Sequence, residues 1–172
     1  MDGSDSHADS HVDSHADGRA RRGAPAALGL EHASLSHVLG YQLARASIHT
    51  RAAFQRAIGE PLQLRPVEFT ILQLLRHNER ATQKQLARAL AITAPGMTVL
   101  LDRLEARELL RRERNLRDKR SIHIVLSDDG RRLADESLQA SRHMEADLLR
   151  HLSPGERLLL FELLERVARA PR

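Results

Sequence analysis

The sequence predicts a mainly α-helical protein of the α+β class, with six helices and one two-stranded hairpin. Apolar residues recur at intervals of three and four positions over most of the chain, which is typical of helices with one buried face. Residues 122–126 instead place an apolar residue at every second position, as a half-buried strand does. Aromatic residues make up only 2% of the chain, so aliphatic side chains must fill the core, which suits packed helices.

The composition excludes several classes of protein. The 172 residues suit one domain of ordinary size. No stretch approaches the ~18 apolar residues that cross a bilayer, and the polar N-terminus lacks a secretory segment, so we expect a cytoplasmic protein. The absence of cysteine excludes disulfides and thiol chemistry. The chain has no glycine-rich phosphate loop, nucleophile elbow or metal-binding helix motif, so we expect neither an enzyme nor a cofactor.

The charge is distributed unevenly. The formal net charge is +4, but residues 1–17 hold five aspartates and no Lys or Arg. Residues 18–172 therefore carry 27 basic and 18 acidic residues, a formal +9 that is mostly arginine. This excess favours a polyanionic partner, since arginine neutralises and binds phosphate. By itself the excess fits a solvated basic surface equally well.

Residues 1–29 are predicted to form a disordered tail, ahead of a domain that spans residues 30–172. The tail contains the near-repeat SHADSHVDSHAD and has too few apolar groups to offset the entropy of ordering. Its histidines His7, His11 and His15 are four residues apart and could share a metal ion if the tail became helical, in a metal-responsive regulator. A flexible polar tail explains them more simply.

Two amphipathic helices follow the tail. The first is predicted over residues 34–58, with an apolar stripe that includes Leu35, Leu39 and Leu43, and Gly59 and Pro61 are expected to end it. The second begins at Pro66, which suits a first turn, and runs to His77 and Asn78. Its inward edge is expected to hold Phe69, Leu72 and either Leu75 or Arg76.

Two shorter helices are predicted next, joined by a tight turn. After a connection at Arg80 and Ala81, Thr82 and Gln85 have the spacing of a capping box. Ala91 and Ile92 form the turn, and Thr93 can cap the following helix. The buried edge of that helix is expected to contain Val99, Leu100, Leu104 and Leu109.

The hairpin and two helices complete the predicted order, which is four helices, two strands and two helices. Residues 109–114 are the expected partner of the strand at 122–126, with a polar, charged tip between them. Ser127 and two aspartates begin one long helix with Leu133, Leu138, Met144 and Leu148 as its stripe. Ser153 and Glu156 form a second capping box at the start of the last helix, which extends to Ala168.

Two short helices followed by a basic hairpin constitute a winged helix, in which the second short helix enters the major groove of DNA. The first residues of that second helix have small or polar side chains, as close approach to base edges requires. The hairpin supplies long cationic side chains for the DNA backbone or minor groove. The predicted DNA-contacting residues are Thr82, Thr93, Ala94, Pro95, Gly96, Thr98, Arg103, Arg117, Asp118, Lys119, Arg120 and Ser121.

Residues 31–170 resemble the multiple-antibiotic-resistance regulator (MarR) family. The matching stretches are LQLRPVEFTILQLL, TQKQLARALAITAPGMTVLLDRLEARELLRRE and RDKRSIHIVLSDDGRRL. The most specific piece is Asp118-x-Arg120 followed by Leu126-Ser127-x-x-Gly130, the spacing of that family's wing signature. Glu108 stands where the family usually has glycine, so we expect a less left-handed turn there.

The resemblance implies a homodimer built from helices at about 31–59 and 128–170, with a DNA-binding lobe at about 62–127. It implies a pseudo-palindromic operator in double-stranded DNA and, usually, a repressor that a small molecule releases. Carried over, Arg120 would enter the minor groove, while Asp118 would orient it or pair with a cation. Arg103 is left with two roles, a phosphate contact or an internal bridge to Asp118.

A small-molecule effector is also implied, because family effectors commonly lie between the first helix and the DNA-binding lobe. His37, Tyr41 and Arg45 are spaced to share one face of that helix, away from the leucine stripe. A phenol and a guanidinium would suit an aromatic acid or its thioester. Dimer contacts or solvent exposure explain these residues equally well. A winged helix used as a protein-interaction module remains an alternative, which predicts weak, salt-insensitive DNA association.

Overall fold

The computed structural model describes residues 32–114 and 122–169. The chain divides into two compact units, residues 1–41 and 42–172. Of the first unit, a 3₁₀ helix, Ala33–Leu35, a turn and the start of a helix at Leu39 are described. The Ser36 hydroxyl donates to the Ala33 carbonyl at 2.9 Å, a local bond that closes the turn. The predicted helix from Ser34 is therefore wrong at its start, and His37 lies in the turn instead.

The first helical run continues further than predicted. Helix α1, Leu39–Phe54, passes into a π-helical turn, Gln55–Gly59, and then into α2, Glu60–Leu62. Gly59 is therefore inside the run rather than at its end, and Pro61 is tolerated in the first turn of α2. The run ends at Gln63, whose φ of 51° is left-handed. The Leu64 amide donates to the Gly59 carbonyl across this turn.

The remaining elements follow the predicted order with one addition. They are α3 (Pro66–His77), β1 (Ala81–Thr82), α4 (Gln83–Ala89), α5 (Ala94–Ala106), β2 (Leu110–Arg114), β3 (Ile122–Leu126), α6 (Asp128–Ser141), α7 (Ala146–Leu149) and α8 (Pro154–Ala168). Counting α1 with α2 and α6 with α7, the described residues form the six predicted helices. None of the helices described is long and apolar enough to cross a membrane.

The sheet has three antiparallel strands in the order β1-β3-β2, where two were predicted. In the hairpin, Leu110 lies opposite Leu126 and Arg114 opposite Ile122. The added strand pairs Ala81 with Ile124 and Thr82 with His123. The predicted connection at Ala81 is therefore a strand, and its two residues are too few to carry a periodic signal.

The core is formed by α3, α5, the sheet and the end of the first helical run. Met97, Leu101 and Leu104 form the buried edge of α5 and are each 0% exposed. Val99 was expected on this edge but is 57% exposed, because it lies about 200° around the helix from Met97. The other apolar side chains that are less than 2% exposed are Ile58, Ile71, Leu72, Leu110, Ile124 and Ala134.

The predicted long helix after the hairpin is interrupted. Helix α6 ends at Ser141, whose hydroxyl donates to the Leu138 carbonyl at 2.8 Å, and turns at residues 142–145 separate it from α7. Met144 therefore lies in a turn, although it stays half-buried against the core.

Candidate nucleic-acid interface

The first short helix, α4, begins at the predicted capping box. The Thr82 backbone amide donates to Gln85 Oε1 at 2.8 Å, and the Gln85 amide donates to Thr82 Oγ1 at 3.3 Å. Two amides that the helix leaves unpaired thus find acceptors within four residues. Because β1 pairs Thr82 with His123, the same residue fixes the start of α4 to the sheet.

The turn between α4 and α5 is held by backbone bonds. Ala91 has a φ of 52°, and its amide donates to the Arg88 carbonyl, while the Ile92 amide donates to the Ala87 carbonyl at 2.9 Å. This pair of bonds is a Schellman motif, which reverses the chain after a helix. The chain then enters α5 at Thr93, whose hydroxyl accepts from the Gly96 amide at 3.3 Å.

Gln83 joins the two short helices. Its side-chain amide donates to Thr98 Oγ1 at 2.7 Å and to the Ala94 carbonyl at 3.3 Å. The Thr98 hydroxyl in turn donates to the Ala94 carbonyl. The leading end of α5 is therefore braced against the start of α4, and the hydroxyl of Thr98 is engaged within the protein. Sequence spacing gave no sign of this bridge.

The leading end of α5 presents small side chains. Thr93, Ala94 and Pro95 are exposed, and Gly96 is half-buried. A Cβ at Gly96 would lie 3.1 Å from Ile92 Cγ2 and 3.2 Å from Thr93 Oγ1, so the turn leaves little room for a side chain. This end can therefore approach another surface closely, as a helix that enters the major groove must.

The hairpin, called the wing here, carries arginines along β2. Arg111 and Arg114 are exposed, and Arg111 Nε is 2.7 Å from Glu113 Oε1. The wing tip lies outside the described residues. The predicted contacts of Arg117, Asp118, Lys119, Arg120 and Ser121 therefore stay predictions.

Arg112 connects the wing to α5, the second short helix, which is the predicted recognition helix. Its Nη2 atom lies 2.6 Å from Asp102 Oδ1, and its Nη1 atom is bonded to Glu105. Both acids belong to the LDRLE element at the end of α5. These residues lie in a stretch that resembles the MarR family, but their role in holding the wing follows from the structure alone.

The second half of the wing signature, Leu126, Ser127 and Gly130, makes contacts within the protein. The Ser127 hydroxyl accepts from the Gly130 amide at 3.0 Å and donates to the Glu108 carbonyl at 2.6 Å. A Cβ at Gly130 would overlap the carbonyl of Leu109, so only glycine allows α6 to approach β2 this closely. Leu126 is 2% exposed and contributes to the core. These residues anchor the wing to the body of the protein.

The expectation that Glu108 is less left-handed than glycine is wrong, since its φ is 56°. The Glu108 amide donates to the Glu105 carbonyl at 2.8 Å, and the Leu109 amide donates to the Leu104 carbonyl at 3.0 Å. This is a second Schellman motif, and burial of Leu109, which is 7% exposed, holds it in place.

Arg103 has an internal partner that the sequence did not reveal. Its Nη1 atom is 3.5 Å from Oε1 of Glu68, whose side chain is only 2% exposed. Arg107 Nη1 is 3.8 Å from the other carboxylate oxygen of Glu68. The proposed partner Asp118 lies outside the described residues. Glu68 lies in the first turn of α3, and only tertiary packing brings α5 to it.

The residues proposed for an effector lie in or near α1. His37 precedes the helix and is exposed, Tyr41 is half-buried, and Arg45 is exposed. The hydroxyl of Tyr41 is hydrogen-bonded to the ring of His32. Within residues 32–114 and 122–169 no cluster of His, Asp or Glu could hold a metal ion. His7, His11 and His15 lie outside those ranges, so their metal hypothesis stays a prediction.

Known proteins resemble this chain in sequence and structure. The MarR family model matches residues 64–122. The HTH-type transcriptional regulator PecS of Dickeya dadantii is 33% identical over 128 residues, 73% of this chain and 76% of PecS. The transcriptional repressor CouR, solved on a 23-mer DNA duplex, is 33% identical with a TM-score of 0.75, over 81% of this chain and 99% of CouR.

A third relative, BpsR of Bordetella bronchiseptica, is solved in connection with regulation of its DNA binding by 6-hydroxynicotinic acid. It is 28% identical with a TM-score of 0.71, over 79% of this chain and 96% of BpsR. The fold and the braced helix pair define a winged-helix regulator of transcription that binds DNA. The chain belongs to the MarR family.

Proposed function

We propose that this chain is a homodimeric repressor that binds a pseudo-palindromic operator and is released by a small organic acid or its thioester. The observation that carries the proposal is the braced recognition helix. Gln83 fixes α5 to α4, and Arg112 fixes α5 to the wing. A DNA-reading helix needs such support, because contacts to base edges tolerate little displacement.

Dimerisation would set the spacing of the two half-sites. Two recognition helices related by a twofold axis reach successive major grooves when their centres are one helical turn, ~10 base pairs, apart. Exposed apolar residues on α8, among them Leu159 and Phe161, are available for the second copy. Arg120 would enter the minor groove beside each half-site.

We place the protein in the cytoplasm, where such an operator is accessible.

The relatives support the proposed effector class. DNA binding by BpsR is described as regulated by 6-hydroxynicotinic acid, and CouR has also been solved with p-coumaroyl-CoA. Both compounds contain an aromatic acid or its thioester. We propose Tyr41 and Arg45 as contacts for such a compound, with His37 nearby in sequence. A ligand that binds the DNA-free form more tightly shifts the population away from operator binding.

Operator binding is tested with a fluorescent fragment of the DNA upstream of the protein's own gene. Wild-type affinity should fall steeply as salt rises, because each neutralised phosphate releases counterions. Arg120→Ala should weaken binding about tenfold or more and flatten the salt dependence. Arg132→Ala is the control, since it removes a cation from α6, where Arg132 pairs with Asp129.

A footprint that protects no palindrome would count against the proposal. Weak binding that does not change with salt would favour the protein-interaction module instead. If Arg120→Ala binds as tightly as the control, the wing does not contribute as proposed.

A further inference from the structure

Val99 is an apolar residue on the outer face of α5 to which the proposed function gives no role. Its side chain is 57% exposed, although it lies near the middle of the helix. Met97 and Leu101, two positions to either side, are each 0% exposed and belong to the core. Two positions turn an α-helix by about 200°, so Val99 lies on the side opposite these residues. The outer face of the predicted recognition helix therefore carries an aliphatic side chain.

Val99 is close to the end of α5 that is expected to enter the major groove. It follows the N-cap Thr93 by six positions, about 9 Å along the helix axis. Ala94 and Pro95, which precede it by about one turn, are also exposed. The major groove is ~8.5 Å deep, and the first turns of a recognition helix contact the base edges in it. Val99 is thus within reach of a base edge.

The polar groups next to Val99 are occupied within the protein. Between Ala94 and Leu100, Thr98 is the only residue with a hydroxyl, amide or charged side chain. Its hydroxyl donates to the Ala94 carbonyl at 3.0 Å and accepts from Gln83 Nε2 at 2.7 Å. Donation from this hydroxyl to a base would have to break the bridge that braces α5. The stretch is therefore suited to apolar contact rather than to hydrogen bonding.

The acid on the same face of α5 is also paired. Asp102 follows Val99 by three positions, and its Oδ1 atom lies 2.6 Å from Arg112 Nη2 in the wing. A carboxylate at this place could otherwise accept from the amine of a cytosine. Because Asp102 is paired with Arg112, cytosine is the less favoured pyrimidine beside Val99.

We infer that Val99 is a specificity-determining residue that packs against the 5-methyl group of a thymine in each half-site. Thymine is the only one of the four bases with a methyl group in the major groove, and contact with an aliphatic side chain removes both apolar surfaces from water. Cytosine would instead place an amine against Val99, without an acceptor. The inference rests on the proposed function, because it requires α5 to enter the groove.

The test replaces thymine by deoxyuridine, which removes the methyl group and leaves the hydrogen-bonding groups of the base pair unchanged. In the operator that the footprint defines, each thymine of a half-site is replaced in turn, together with its symmetry mate. Fluorescence anisotropy measures the affinity of the full chain. We expect one position at which the dissociation constant rises about fourfold for each methyl group removed, as the loss of one buried methyl predicts.

Val99→Ala decides whether the methyl group acts through this residue. The variant should bind the thymine operator more weakly than wild type does, and should bind the thymine and deoxyuridine operators with nearly equal affinity. Val167→Ala is the matched control, since it makes the same truncation at an exposed valine of α8. This control should keep the wild-type preference for thymine. Thermal unfolding confirms that both variants fold.

Three results would overturn the inference. The first is an operator in which no thymine responds to deoxyuridine. The second is a full preference for thymine in Val99→Ala, because the methyl effect would then come from DNA shape or from another residue. The third is loss of the dimer in Val99→Ala, seen by sedimentation velocity, since Val99 would then belong to a protein interface.

Operator binding by wild type separates this inference from the proposed function. A wild-type protein that binds no operator would overturn both. Operator binding that is steeply salt-dependent but unaffected by deoxyuridine would leave the proposed function standing and overturn only the role of Val99.

Discussion

Glu68 illustrates how one residue can depend on distant parts of the chain. A carboxylate that is 2% exposed is stable as an ion only when paired. Glu68 meets this condition with the Arg65 amide beside it and with two arginines more than thirty residues later. The Arg65 amide is only three positions from Glu68 in the sequence. Arg103 and Arg107 come close to Glu68 only when α3 and α5 pack together.

Gly130 makes a testable contribution to stability. In Gly130→Ala the added Cβ overlaps the Leu109 backbone carbonyl, which cannot move without disturbing β2. Overpacking of this kind costs about 1–3 kcal/mol, which outweighs the gain in helix propensity of about 1 kcal/mol or less. We expect a lower midpoint in urea unfolding at a fixed protein concentration.

The control for this prediction is Gly155→Ala. A Cβ at Gly155 meets no atom within 4 Å, although this glycine is also in the first turn of a helix. Gly155→Ala should be neutral or slightly stabilising. An equal loss of stability in both variants would mean that helix geometry, rather than the approach to Leu109, explains the glycine.

At the scale of elements, helix starts are fixed by partners close in sequence, whereas helix ends depend on burial in the folded protein. The side chains of Thr82, Thr93, Ser127 and Ser153 each cap a helix by accepting from the amide three residues later, and all four helix starts were expected from the sequence. Three helices instead end at left-handed residues that are not glycine. The residue after two of these, Leu64 and Leu109, is buried, and this burial offsets the ~1–2 kcal/mol cost of the conformation.

The capping box of α8 gives a pH-dependent prediction. The Ser153 backbone amide donates to Glu156, which lowers the pKa of that carboxyl below its ordinary value. The folded pKa is thus below the unfolded one, so the contribution to stability is complete above the unfolded value, ~4.3, and is lost as pH falls through the folded value. The thermal midpoint of Glu156→Gln should be slightly below wild type near pH 7, and the difference should disappear in acid.

Glu162→Gln is the matched control, because it neutralises a carboxylate on the same exposed helix outside the capping box. Thermal unfolding followed by circular dichroism between pH 3 and pH 7 distinguishes the two variants. A difference for Glu156→Gln that grows toward low pH would contradict the assigned role.

At the scale of the whole molecule, the apolar side chains of α8 are left uncovered in a single chain. No residue of this helix is buried, and its exposed apolar residues include Leu158 at 73%, Leu159 at 51% and Phe161 at 53%. An apolar surface of this extent is typical of an interaction site. In a homodimer the second copy would cover it.

Phe161→Glu tests that arrangement. A charge in the interface should shift sedimentation velocity from dimer toward monomer at micromolar concentration and weaken operator binding with it. Glu162→Gln, next to it in sequence, should remain dimeric. If Phe161→Glu stays a dimer with unchanged mass, the interface does not include this face of α8.

The sequence by itself determined the order of the main helices and of the two hairpin strands. Capping residues, the alternation in β3 and the spacing of Asp118, Arg120 and Gly130 are read over a few positions, so they are visible without a structure. Only the tertiary structure decided how these segments are joined. The third strand at Ala81, the exposed side of α5 at Val99 and the pairing of Glu68 with α5 depend on contacts between segments distant in sequence.

The recognition helix and wing show the same division. Their residues could be predicted because small side chains and clustered cations suit DNA. The bonds that position them, from Gln83 to Thr98 and from Arg112 to Asp102, join residues ten or more positions apart. Such bonds form only when packing brings the two groups together, because no local periodicity specifies a long-range partner.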